Sequence, residues 1–256
     1  MPSASDIEWF KNEFHADIAK ATAGTPINLD MLAALACQET GEVWPVLRAA
    51  GLPASGILRL CVGDTLDEDR GRKAFPRNKS ELISAPHGQE MFNIARSALV
   101  ELAAYIPAYA GAASRPDKFC HGFGMFQRDL QFFKSTPNYF LQKRYETFTN
   151  TLDECLKELK AGLIALNLQA KVQLTDMEAA AVAIFYNTGK YVPAKGLKQG
   201  YFDGKKYYGE NFYDYLRLAH TIPLHSEVPP IPSPLKVEAT IPAAPVFRDA
   251  DRRQEL

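Results

Sequence analysis

Apolar residues recur at helical spacing along most of this chain, and strand-like alternation is confined to short stretches. Residues 5–21 predict an amphipathic helix closed by the turn "AGTP". In the next helix Met31, Leu32 and Leu35 set an apolar stripe, and Gly41 marks its end. "EVWPVLRAAG" predicts a short helical piece, and "HGQEMFNIARSALVELAAYI" (87–106) a long amphipathic one. Core spacing over 150–168 follows a Thr151/Glu154 capping box, and a second box at Thr175/Glu178 precedes "MEAAAVAIFYNTG". "ENFYDYLRLAH" predicts the last helix.

Two stretches read differently. "GILRLCVG" (56–63) is short, apolar and bounded by glycines, which predicts a strand. "GYFDGKKYYG" (200–209) predicts a hairpin turning at Asp203-Gly204. The mixed-charge run "DTLDEDRGRKAFPRNK" (64–79) reads as a solvated surface excursion, since its glycine offset fails a calcium-binding loop. The pattern therefore predicts a mostly α (α+β) domain over 1–224. From His225 prolines recur every few residues with few apolar positions, predicting an extended tail or linker over 225–256.

Composition narrows the partners. A net charge of -1 supplies no basic field for nucleic acid or an anionic membrane. No segment is long and apolar enough for a membrane span. The N-terminus lacks the basic and apolar regions of a signal peptide, which predicts cytoplasmic synthesis. Cys37, Cys61, Cys120 and Cys155 lack metal-ligand spacing, as do the histidines, so neither a metal nor another cofactor is expected. Buried reduced thiols fit best.

Three stretches carry candidate chemistry. In "ALACQETGEVW" Glu39 falls four residues after Leu35 and seven after Leu32, on the apolar face. It is either a fraying last turn in water or a desolvated acid with a raised pKa. "CHGFGMFQRDLQFF" sets glycines around Phe123, then Gln127 and the carboxylate Asp129, which is either a reactive group or the cap of the next helix. "AIFYNTGKY" ends an apolar helix in Tyr186, Asn187 and Gly189, with Tyr191 just beyond.

Taken together, Glu-Thr-Gly at a helix end, then Gly-Phe-Gly-x-x-Gln, then Tyr-Asn-x-Gly, resemble the lysozyme-like superfamily. The match is nearest to goose-type lysozymes and soluble lytic transglycosylases. The resemblance implies a helical domain with a small β-region beside the cleft. It implies Glu39 as general acid, with Asp129 and Asp117 holding a water. Gln127, Tyr186, Asn187, Phe123 and Tyr191 would contact sugar. The implied activity is a muramidase cutting peptidoglycan strands between N-acetylmuramic acid and N-acetylglucosamine, with inversion. The alternatives are a lytic transglycosylase leaving anhydro ends, a chitin- or chitosan-cleaving relative, or a glycan-binding scaffold without activity. An immunity protein or a secretion carrier would be the protein partner. Action on the cell wall would follow phage-type release or non-classical export.

Overall fold

A computed structural model describes residues 2–224, which lie in one compact unit. The predicted proline-rich tail, 225–256, falls outside the described residues.

Helix α1 (Ala4–Thr22) starts from a capping box in which Ser3 and Asp6 satisfy each other's backbone donors. Helix α2 (Leu29–Thr40) is capped by Asn28, whose side chain accepts from the Met31 amide at 2.9 Å. Every residue of α2 from Met31 to Cys37 is buried, so this is an all-round core helix rather than a striped one. Its alanines at 33, 34 and 36 admit close neighbours on every side. Helix α1 packs against it, as does the last helix.

Helices α3 (Trp44–Ala49) and α4 (Ala54–Leu60) follow. The predicted strand 56–63 is mostly the second of these. Ile57, Leu58 and Leu60 are buried on α4, with Cys61 just beyond, which is helical spacing. Only Val62–Gly63 remains as strand β1. Next come α5 (Lys79–Ile83), α6 (Gly88–Ala103) and α7 (Ala110–Ala113). Strands β2 (Gly122–Phe123) and β3 (Arg128–Asp129) follow, then α8 (Pro137–Leu141), α9 (Phe148–Ala165), α10 (Asp176–Thr188) and α11 (Tyr208–His220).

The helical content agrees with the pattern, but the expected lysozyme-like helical domain with a small β-region beside the cleft does not hold. The sheet is open, antiparallel and only two residues wide in each strand, in the order β1-β2-β3. It cannot curl into a lobe. The apolar run that would have lengthened β1 is spent on α4, and residues 64–77 form a strap tied by isolated backbone bonds, such as Glu68 to Arg77, and by side chains instead of a ladder. Helices carry most of the tertiary packing: α11 lies on α2 and α10, and α10 on α9.

Two local details also differ from expectation. Helix α9 begins at Phe148, so Thr151 sits buried inside it and caps nothing. The hairpin at 200–209 is a single bridge, Phe202 to Tyr207. The Thr175/Glu178 box is present at the start of α10 as predicted. All four cysteines are buried and free. No helix among the described residues is long and apolar enough to cross a membrane.

Candidate functional site

The end of α2 is fixed by a tertiary contact. Thr40 donates to the Met125 carbonyl at 2.8 Å, tying the helix to the glycine-rich turn between β2 and β3. Tyr186 on α10 donates to the neighbouring Phe126 carbonyl. That turn is itself closed by Gln127, whose amide nitrogen donates to the Gly124 carbonyl at 3.0 Å. A side chain on Gly122 would stand 2.2 Å from the Gln127 amide oxygen, so only glycine lets the amide lie there.

Between these elements lies a cavity of about 740 Å³, a size suited to a ligand of several rings. Its lining includes Glu39, Gln127, Asp129, Tyr186 and Asn187. Five of the eight residues nominated from sequence were thus brought to one place or one rim. The other three are elsewhere. Phe123 is fully buried, edge-on to Phe140 and tilted against Tyr145, as a core residue. Asp117 is 73% exposed and pairs with Lys79 at 2.9 Å, away from the lining. Tyr191 is half-buried and does not line the cavity either.

Among the described residues, five carboxylates line the cavity: Glu39, Asp64, Asp129, Glu154 and Glu158. Four of them face a cation. Arg72 pairs with Asp129 at 2.7 Å and reaches Asp64 at 3.4 Å. Arg128 pairs with Glu154 at 3.1 Å and Glu158 at 3.4 Å. Glu39 has only a hydroxyl: Tyr208 donates to its Oε1 at 2.6 Å. Burial pushes the Glu39 carboxyl up to about 7, and the Tyr208 hydrogen bond offsets only part of that rise. A carboxyl held near that value can carry a proton at neutral pH and give it up.

No family model, curated protein or solved structure matches the chain. The labels suggested by the motifs (hydrolase, lysozyme-like, peptidoglycan, muramidase, bacteriolytic, antibacterial effector) therefore receive no support from likeness to any known protein. Membership of that superfamily is not shown by these comparisons. A reading of function has to stand on the chemistry of the cavity.

Sequence reasoning missed two residues that decide that chemistry. Tyr208 opens α11, 169 positions from Glu39, and is held against it because Gly200 leaves room. A side chain at Gly200 would come within 2.6 Å of Tyr208 and 2.8 Å of the Asn187 oxygen. Nothing local in "KYYGENF" announces this contact. Arg72 lies in the run read as a surface excursion, yet its side chain is only 7% exposed. The strap carrying it is anchored where Asp67 pairs with the buried Lys118. The one available signal was an arginine followed closely by Phe75-Pro76, whose carbonyls it binds.

Asp129 plays the structural role weighed from sequence. It caps the 3₁₀ turn Leu130–Lys134 by accepting from the Gln131 amide at 2.6 Å. It is also gripped at both oxygens by Arg72, at 2.7 and 3.0 Å. The nearby His121 ring is buried and pushed down to about 3, so it stays neutral.

Proposed function

We propose that this chain cleaves glycosidic bonds, with Glu39 as general acid and the glycan strand of peptidoglycan as substrate. The supporting observation is that Glu39 alone among the cavity carboxylates lacks a cationic partner, so it can be protonated where a leaving oxygen needs a proton. Tyr208 positions it. Tyr186 and Asn187 at the rim are the candidate sugar contacts. A binding scaffold without activity would have no use for an acid tuned in this way.

Cleavage is completed by a nucleophile, and two are open. Water activated by Asp129 gives hydrolysis with inversion. A hydroxyl of the same sugar gives an anhydro end. The grip of Arg72 on Asp129 favours the second. Access to the cell wall would come by phage-type release or a secretion carrier. The test is mass spectrometry of fragments released from purified peptidoglycan by the native chain and by Glu39→Gln. Release by the first and not the second is expected. Equal release by both, or none from the native chain, would overturn the reading.

A further inference from the structure

We infer that Arg72 is a positioning residue that decides which nucleophile completes the cleavage; the inference rests on the glycan-cleaving reading above. Its guanidinium is saturated. Nε donates to the Pro76 carbonyl at 2.8 Å, and Nη2 to the Phe75 carbonyl at 3.1 Å. The remaining N–H groups reach both Asp129 oxygens and the Asp64 Oδ2. A fork bound to its own backbone on one side and to two carboxylates on the other cannot swing away without breaking all of these bonds.

The consequence falls on the carboxylates. Asp129 Oδ1 takes two donors, from Arg72 and from the Gln131 amide. Asp64 Oδ1 takes the Leu66 amide at 3.0 Å, and its Oδ2 faces Arg72. On Asp129 these charge-assisted hydrogen bonds occupy the directions from which a water would be held. Glu154 and Glu158 form looser ion pairs with Arg128, at 3.1 and 3.4 Å. Activation of water opposite Glu39 needs a free carboxylate, and Arg72 withholds the one placed for it by sequence.

Glu39, having given up its proton, then serves as the base. In the first half of the reaction its proton goes to the leaving glycosidic oxygen as the C1–O bond breaks. The C6 hydroxyl oxygen of the same sugar then bonds to C1, and its proton returns to the Glu39 carboxylate. Water is neither consumed nor released, and the acid is restored. Arg72 governs this outcome by keeping Asp129 out of it.

The ratio of anhydro to hydrated sugar ends, measured by mass spectrometry after digesting purified peptidoglycan, tests this. The ratio reports on whatever enzyme is folded, so a loss of stability does not move it. The native chain should give mainly anhydro ends. Arg72→Gln should lower the ratio at least tenfold, and Arg72→Lys, which keeps the charge but not the fork, should lower it less. Should the Gln variant not fold, the Lys variant is read on the same scale. Adding Asp129→Asn to Arg72→Gln should restore the native ratio, because an amide takes no proton from water. Mainly hydrated ends from the native chain, an unmoved ratio in the Arg72 variants, or no restoration in the double variant would each overturn the role of Arg72 while leaving the glycan-cleaving reading intact. Absence of any cleavage by the native chain would overturn both.

Discussion

Two corners of one cavity treat a carboxylate in opposite ways. At the corner made by α2 and α11, Glu39 meets a buried phenol and apolar walls, and no cation among the described residues. At the corner made by β3 and the strap 64–77, Asp129 meets a guanidinium on both oxygens and a backbone amide. The first arrangement raises the cost of ionisation and keeps a proton available. The second spends the charge on holding a turn in place. Two acids in one cavity are therefore not two equivalent candidates, and the partner of each decides its use.

The largest effect should come from the Glu39 corner. Glu39→Gln keeps size and most hydrogen bonding but has no proton to deliver, so strand cleavage should fall by ~10²–10⁴. Release of soluble glycan from purified cell wall measures it. Undiminished release would erase the contrast between the two corners.

The same corner should show in stability against pH. The Glu39 carboxyl stands at about 7 in the fold against an ordinary 4.5, so its contribution is fully present below 4.5 and lost as pH rises through 7. The loss amounts to about 3 kcal/mol and should vanish in Glu39→Gln, as read from denaturant midpoints between pH 4 and 8. Tyr208→Phe removes a bond that lowers the pKa of Glu39. It should move the alkaline limb of the activity profile to higher pH. A limb that stays in place would separate Tyr208 from the acid.

Asp129→Ala should instead act on the fold. It leaves the buried Arg72 guanidinium without two of its five hydrogen bonds and removes the cap on Leu130–Lys134. The cost should be about 2–3 kcal/mol, below that of a fully buried pair because Asp129 is 27% exposed. Chemical denaturation measures it. A variant as stable as the native chain would return Asp129 to the list of free carboxylates.

Smallest of all should be Asp117→Ala. Its side chain is exposed and paired only with Lys79. Stability should change by less than about 0.5 kcal/mol, with cleavage unaltered, because exposed pairs contribute little. A large loss of cleavage would show that the cavity does not bound the site.

Much of the helical framework was legible in the sequence, because each signal was local. Periodicity located α1, α6 and α11, the Thr175/Glu178 box announced α10, and Gly189 ended it in a left-handed turn as its position suggested. Glu39 was legible for the same reason: a carboxylate on an apolar helical face needs no tertiary knowledge to look misplaced. Short apolar runs were not. "GILRLCVG" fits a strand by its flanking glycines and a helix by its buried positions, and burial decided for the helix. Thr151 carries a capping signature, but the helix had already begun at Phe148.

By itself, then, the sequence determined where helices form and which carboxylate lies on a buried face, since both follow from neighbours three or four residues away. Only the tertiary structure decided what each carboxylate meets. Tyr208 reaches Glu39 across 169 residues, and Arg72 reaches Asp129 across 57. A mixed-charge run with no periodicity looks like a solvated surface until a buried partner is known. Whether such a charge faces water or a carboxylate depends on how distant elements pack, and that packing separates the acid that keeps its proton from the one that holds a turn.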